Sequence, residues 1–236
     1  MKRREFLAGA ASLGMLSMWA GGPARSPQAN TSGGAPPLKP PATGPIRVAV
    51  ALTEGATVID FAGPWEVFQD AGDPGKDAGF ELFTVGDVTT PIRGSGGLQL
   101  VPDYAFAHAP QPHVIVVGAQ RGSSALIAWL QSASPKSDLT MSVCTGAFQL
   151  AKAGLLKGKA ATTHHDFCDR LAKNFPDVDV RRGLRFVESS PSLATAGGLS
   201  SGIDLALRVV ERYYGRDSAA RTAAYMEYQS KGWMSS

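Results

Sequence analysis

The chain has few of the residues that would point to disulfides, a metal site or a nucleic-acid surface. Its two cysteines, Cys144 and Cys168, belong to no Cys-x-x-Cys pair and to no His-rich spacing. Two cysteines do not make a disulfide framework, and the spacing predicts no metal site. The 23 basic and 20 acidic residues nearly cancel. Because several positive charges precede residue 48, the folded part is close to neutral, and nucleic-acid binding is not expected.

Long apolar runs are absent too. The apolar run near the N-terminus, residues 6–20, is shorter than the roughly 20 residues that a membrane-spanning helix needs. It follows Arg3 and Arg4, the twin-arginine export pattern, and small residues come after it. This order predicts a cleavable signal peptide over residues 1–24, a periplasmic protein and no stable membrane insertion after cleavage. The alternative is an N-terminal anchor helix that stays attached.

The rest of the chain has a globular composition, with 44% hydrophobic and 18% charged residues overall. Residues 25–45 are rich in Gly, Pro, Ser and Ala without a helix or strand period, which predicts a flexible linker. The predicted folded domain covers residues 46–236. Twin-arginine export of an already folded protein would place its cysteines in an oxidising compartment.

Short apolar runs alternate with helical patterns along this domain. Such alternation predicts an α/β fold with a mostly parallel sheet and helices on both faces, a flavodoxin-like three-layer sandwich. Turn residues and alternation over residues 93–109 predict an antiparallel hairpin beside the sheet. The predicted strands, of which the last two are the weaker, are residues 46–52, 80–85, 114–117, 140–143, 160–163 and 193–196.

Four helices are predicted between and after these strands. Pro64 is expected at the first position of one helix, and Ser123 or Ser124 is expected to cap another. A third helix covers residues 145–156. The fourth has a core-facing stripe that starts at Leu199 and repeats with helical spacing through Val210.

Cys144 lies where a predicted strand ends and a helix begins at once. Gly146 follows it directly, which fits the tight turn of a nucleophile elbow. A helix N-terminus favours a thiolate, so the thiol is expected to react below its free pKa of about 8.5. The backbone N–H of Thr145 is expected to face a developing anion. The alternative is an inert buried cysteine, which is the interpretation adopted for Cys168.

Asp60 follows the first predicted strand and is therefore expected at the same sheet edge as Cys144, because ligands bind beyond the carboxyl ends of parallel strands. It stands between apolar Ile59 and Phe61, where burial would raise its pKa and let it carry a proton. The alternative is an aspartate that caps the helix predicted to begin near Pro64.

Three further residues are candidates at this edge. Gly118 and Ala119 follow the third predicted strand, and one of them is expected to supply a second oxyanion donor from its backbone N–H. The alternative is an ordinary strand-to-helix turn. His164 follows the fifth predicted strand, where an imidazole can orient or deprotonate a thiol. The alternative for His164 is a packing or hydrogen-bonding role.

Several segments together resemble the ThiJ/PfpI superfamily, which has the class I glutamine-amidotransferase-like fold. The resemblance covers nearly all of residues 46–233, and its closest branch is that of the isocyanide hydratases and the ligand domains of AraC-type regulators. The segments that carry it are Ile-Asp-Phe-Ala-Gly-Pro from residue 59, Val-Cys-Thr-Gly-Ala from residue 143, residues 153–164, and residues 196–207.

The resemblance to the hydratases implies a cysteine nucleophile at Cys144, an acid/base at Asp60 and Thr145 beside the nucleophile. It also implies a homodimer, a small-molecule substrate and no cofactor. Superfamily proteases carry His directly after the cysteine, so Thr145 argues against proteolysis. Related sequences often read Thr-Thr-His-Trp, and His165 stands here in place of that Trp. The regulators continue into a DNA-binding domain, whereas this chain stops at residue 236 and is marked for export, so transcriptional control is not expected.

Two functional hypotheses follow. The first is an enzyme that adds water to a small electrophilic carbon through a thioimidate or thioacyl intermediate on Cys144, with Asp60 moving the proton. The second is a non-enzymatic ligand- or redox-sensing or protective protein, in which Cys144 is oxidised reversibly to sulfenic acid.

Overall fold

The computed structural model describes residues 34–72 and 79–234. Its centre is a seven-stranded sheet in the order β10-β11-β7-β6-β1-β2-β5. Neighbouring strands are parallel except for β10, which is antiparallel to β11 at one edge. The strands of this sheet are β1 (Ile46–Ala51), β2 (Phe80–Gly86), β5 (Tyr104–Ala105), β6 (Val114–Val117), β7 (Leu139–Ser142), β10 (Phe186–Ser190) and β11 (Leu193–Ala196).

Helices cover both faces of the sheet. On one face α1, α5 and α6 bury a core that contains Phe68 and Leu205, and on the other α2, α3 and α4 bury a core around Leu130 and Leu150. The predicted three-layer α/β architecture is therefore confirmed. The helices are α1 (Val58–Asp70), α2 (Ser124–Ala133), α3 (Gly146–Lys152), α4 (Cys168–Asn174), α5 (Ser201–Tyr214) and α6 (Arg216–Tyr225).

Two small sheets lie outside the main one. β3 (Ile92–Arg93) and β4 (Gln99–Leu100) form the antiparallel pair that was predicted within residues 93–109. The later part of that segment is not part of the hairpin, because β5 pairs in parallel with β2 and joins the main sheet. The run predicted as a fifth strand of the sheet gives only β8 (Ala160–Ala161), which pairs with β9 (Asp179–Val180) instead.

Two of the predicted helix starts are wrong. Pro64 lies inside α1, which begins at Val58, so Asp60 belongs to the first turn of this helix and does not cap it. Leu199 precedes α5 with a positive φ of 50° and is 44% exposed, so it is not part of a core-facing stripe. The predicted cap of α2 is confirmed at Ser123, whose hydroxyl accepts a hydrogen bond from the Leu126 N–H. The residues after 152 turn away from the predicted longer helix, so α3 is short.

The segment before β1 packs in part on the domain. The Leu38 N–H donates to the carbonyl of Arg212, and the Arg212 guanidinium donates to the carbonyl of Pro36. These contacts dock part of a segment that was predicted to be a flexible linker. The predicted signal peptide, residues 1–24, lies outside the described residues. None of the helices within the described residues has the length and hydrophobicity that a membrane span requires.

Candidate active site

The loop between β7 and α3 forms a strained turn at Cys144. The residue has a positive φ of 58°, a left-handed conformation that is uncommon outside glycine. Gly146 permits the turn, because a Cβ there would lie 2.0 Å from the carbonyl oxygen of Val117. The predicted nucleophile elbow is thus present, with α3 beginning two residues after the cysteine. Strain of this kind is characteristic of functional sites.

Neighbouring segments hold the backbone of the elbow. The Cys144 N–H donates to the carbonyl of Gly197 at 2.7 Å, and the Thr163 hydroxyl donates to the Cys144 carbonyl at 2.8 Å. The side chain of Cys144 is 6% exposed. The backbone N–H groups of Thr145 and Leu199 lie beside the sulfur and lower its pKa. The sulfur therefore lies between two donors, one from each of two loops.

Asp60 lies beside this sulfur, in the first turn of α1, and its side chain is fully buried. Its Oδ2 accepts a hydrogen bond from the Ala119 N–H at 2.8 Å, whereas its buried Oδ1 has no well-aligned donor. Gly118 makes this packing possible, because a Cβ there would lie 2.8 Å from the Asp60 Cβ. One carboxylate oxygen is thus anchored, and the other is left for the thiol proton of Cys144 or for a ligand.

The two side chains shift each other's protonation. Burial raises the pKa of Asp60 to about 6, although the hydrogen bonds from Ala119 and Cys144 lower it in part. Burial and the charge of Asp60 raise the pKa of Cys144 to about 11. Near neutral pH the pair therefore holds a carboxylate and a thiol. The expectation of a thiol that ionises below 8.5 is wrong, because desolvation and the neighbouring carboxylate outweigh the two backbone donors.

One of the two predicted oxyanion donors is already used, because the Ala119 N–H donates to Asp60. The absence of a side chain at Gly118 lets the Asp60 side chain pack closely, and an oxyanion donor from Gly118 stays a prediction. The Thr145 N–H is a donor to the sulfur itself, and the second backbone donor there is Leu199. Sequence reasoning missed Leu199 because its spacing fitted a helix. A signal was present in the two glycines that precede it, since adjacent glycines favour a turn with unusual backbone angles.

The contacts of His164 match the packing alternative. Its ring packs edge-on against Gly198, where a Cβ would come within 2.3 Å of the imidazole, and it stacks on His165. Its Nδ1 accepts a hydrogen bond from the Asp166 N–H. These contacts show that His164 packs against the turn at Gly198, and Leu199 is the next residue of that turn. The ring therefore supports the donor loop of the site.

A group of possible metal ligands lies next to this turn. The donor atoms of His164, His165 and Asp166 all lie within 4.8 Å of one another. His165 and Asp166 are largely exposed, and Nδ1 of His164 is already committed to a backbone N–H. The buried pair at the elbow consists instead of Cys144 and Asp60, a thiol beside a carboxylate that can take its proton.

Comparison with known proteins identifies the family of this chain. The profile of the DJ-1/PfpI family matches residues 46–212. An isonitrile hydratase from Pseudomonas putida is 33% identical over 193 residues, which are 78% of each chain. The HTH-type transcriptional regulator GbdR from Pseudomonas aeruginosa is 25% identical over 200 residues, and the match spans 54% of its length.

The same fold is found among solved structures. The crystal structure of a ThiJ/PfpI family protein from Pseudomonas syringae superposes with a TM-score of 0.67 at 25% identity, over 90% of this chain and 84% of that one. The family includes an enzyme and regulators, so membership alone does not define the activity. With the family profile covering most of the folded domain, this chain belongs to the DJ-1/PfpI family.

Proposed function

We propose that this protein is a cysteine-dependent hydratase that adds water to a small electrophilic carbon, such as the terminal carbon of an isocyanide. The observation that carries the proposal is the buried Asp60–Cys144 pair, whose pKa values of about 6 and about 11 leave a base beside a protonated thiol at neutral pH. The similarity to an isonitrile hydratase supports the choice of substrate class.

In the first half of the reaction Asp60 takes the thiol proton as the sulfur of Cys144 attacks the isocyanide carbon. The same proton then passes from Asp60 to that carbon, which gives a thioimidate with a new C–S bond. The N–H groups of Thr145 and Leu199 stabilise negative charge on the sulfur while it is unprotonated. The carboxylate is restored at the end of this half.

In the second half a water molecule adds to the thioimidate carbon. Asp60 takes one proton from the water and delivers it to the substrate nitrogen, and the C–S bond then breaks. The remaining hydroxyl proton returns to the sulfur through Asp60, which releases an N-substituted formamide. Net consumption is one isocyanide and one water, and both side chains return to their starting protonation.

Turnover of phenyl isocyanide to N-phenylformamide, measured by chromatography, tests the proposal. We expect Cys144→Ala to abolish formation of the formamide, whereas Cys168→Ala serves as the matched control and keeps activity within about twofold. Asp60→Asn is expected to keep labelling of Cys144 by iodoacetamide while turnover falls by roughly 10²–10⁴-fold. Full activity in Cys144→Ala would overturn the assignment of the nucleophile.

The redox-sensor alternative requires that Cys144 be a thiolate near neutral pH. Peroxide oxidises thiolates, and a thiol whose pKa is raised to about 11 is rarely a thiolate at pH 7. We therefore expect stoichiometric peroxide to leave most of the Cys144 reduced under conditions that oxidise a free thiol. Rapid conversion of Cys144 to sulfenic acid, without any hydration of isocyanides, would favour the sensor.

A further inference from the structure

We infer that the substrate carries a carboxylate, which binds in a cationic cavity beside the elbow; this inference rests on the proposed hydratase function. The cavity has a volume of about 260 Å³ and is lined in part by Thr145, the residue whose N–H faces the sulfur. Its other walls come from α3, α4 and the loop that follows β6. It is therefore a candidate for the part of the substrate away from the reacting carbon.

One wall of the cavity runs along α3, away from the nucleophile. Thr145, Phe148, Gln149 and Lys152 all line it, and their spacing of three, four and seven residues places them on one helix face. Seven residues of helix correspond to about 10 Å, so Lys152 lies about that far along the axis from the residue next to Cys144. A small aromatic or aliphatic body can occupy this length, with its electrophile at one end and its charge at the other.

The charges of the cavity have one sign. Three of its lining residues, Arg121, Lys152 and Arg170, are cationic, and none is acidic. Within the described part of the chain no ion pair joins any of the three to a carboxylate. Cations gathered without counter-charges repel one another, and an anion in their midst relieves this repulsion. A carboxylate suits the site because guanidinium groups bind it with paired hydrogen bonds.

The surroundings position the guanidinium of one of the cations and the backbone of another. The Arg170 guanidinium lies 5.8 Å from the centre of the Phe148 ring and 6.0 Å from that of Phe167. The backbone of Arg121 is fixed, because its N–H donates to the Glu54 carbonyl and its own carbonyl accepts from Gln149. Cations ordered in this way lose less conformational entropy on binding than free surface side chains do.

The first measurement is independent of turnover. In full-length protein carrying Cys144→Ala, calorimetry compares benzoate with benzamide, its neutral counterpart. We expect benzoate to bind about tenfold more tightly, Arg170→Gln to remove most of this difference, and Arg170→Lys to retain only the part that the positive charge alone supplies. Lys136→Gln is the matched control, since Lys136 is exposed just before β7 at the opposite edge of the sheet. Melting temperatures establish that each variant is folded.

The second measurement uses the reactive chain with 4-isocyanobenzoate and phenyl isocyanide. We expect the ratio of their kcat/KM values to favour the carboxylate and to fall about tenfold in Arg121→Gln and in Arg170→Gln. Hydration of both compounds with no preference, together with equal binding of benzoate and benzamide, would overturn the anion site and leave the hydratase function standing. Tight, Arg170-dependent binding of benzoate in a chain that hydrates neither compound would support the anion site and refute the hydratase function.

Discussion

At the scale of single residues, the site depends on burying an acid and a thiol together. Asp60 is fully buried and Cys144 nearly so, and the charge of Asp60 disfavours ionisation of Cys144. The carboxylate ionises first because two hydrogen bonds, from Ala119 and from the thiol, favour its charged form. A base and its proton source are therefore adjacent before the substrate arrives, and no reorganisation is needed to create them.

The pH dependence of activity tests this assignment. Asp60 acts as a base only when ionised, so kcat/KM is expected to rise as the pH increases through about 6 and to fall only as the thiol proton is lost towards pH 11. Asp60→Asn should lose the acidic limb together with most of the rate. Glu66→Gln, an exposed acid-to-amide change on the same helix, is the control and should keep the profile. An acidic limb that persists in Asp60→Asn would assign it to another group.

The same burial is expected to cost stability. The folded pKa of Asp60, about 6, lies above its unfolded value of 3.8, so the folded chain binds a proton at Asp60 more tightly than the unfolded chain does. The stability that this proton provides is fully present below pH 3.8 and is lost as the pH rises through 6. The free energy of unfolding of Asp60→Asn, measured relative to that of the wild type, is expected to be on the order of 2 kcal/mol higher at pH 8 than at pH 4. Urea unfolding at both pH values measures this gain. A difference that does not change with pH would show that the carboxylate ionises as easily in the folded chain as in the unfolded one.

At the scale of elements, the site is assembled where β7, β6 and β11 end. The elbow after β7 carries Cys144, the turn after β6 anchors Asp60 of α1, and the loop after β11 brings Leu199 to the sulfur. Parallel strands place these three loops at one edge of the sheet. The fold therefore gathers residues that are far apart in the sequence without any long loop.

The elbow has no room for a side chain at Gly146. A Cβ there would lie 2.0 Å from the Val117 carbonyl oxygen, so Gly146→Ala must displace α3 from β6. We expect a loss of about 3 kcal/mol or more in the free energy of unfolding, together with loss of activity. Gly72→Ala is the control, because no atom of the described residues lies within 4 Å of its added Cβ and its expected cost is below about 0.5 kcal/mol. Wild-type stability of Gly146→Ala would contradict the packing described here.

At the scale of the whole molecule, the destination of the chain remains a prediction from its N-terminus. Replacing Arg3 and Arg4 with Lys is expected to leave the protein in the cytoplasm, because the twin-arginine pathway recognises the arginine pair. Fractionation followed by immunoblotting measures the distribution. Replacement of Lys2 by Arg is the matched control and should not change it. Undiminished periplasmic protein in the double variant would refute the export assignment.

Assembly also remains a prediction, since it rests on resemblance to the family. We expect the folded domain to form a homodimer, and light scattering at micromolar concentration should give twice the mass of one chain. Dilution into the nanomolar range is the control for specific association, because the mass of a specific dimer falls to that of one chain only when the concentration approaches the dissociation constant. A monomer at micromolar concentration would exclude a stable dimer.

Much of this architecture could be predicted from local patterns. The strands predicted at residues 114–117 and 193–196 coincide with the observed ones. Short apolar runs between turn residues are typical of buried strands. The elbow could be predicted because Cys144 directly follows an apolar run and Gly146 permits a tight turn. The errors fall where tertiary contacts override local preference. Pro64 lies inside α1 with its ring against α5, and the run at residues 160–163 pairs with β9 outside the main sheet.

The layers of the fold, the position of the elbow and the choice of Asp60 as a candidate could be predicted from the chain alone, because each depends on residue type and spacing within one short segment. The anchoring of Asp60 by Ala119, the approach of Leu199 to the sulfur and the raised pKa of the thiol could be found only in the folded protein. Those properties depend on desolvation and on distances between segments that are remote in the chain. Such distances exist only once the sheet has brought the loops together.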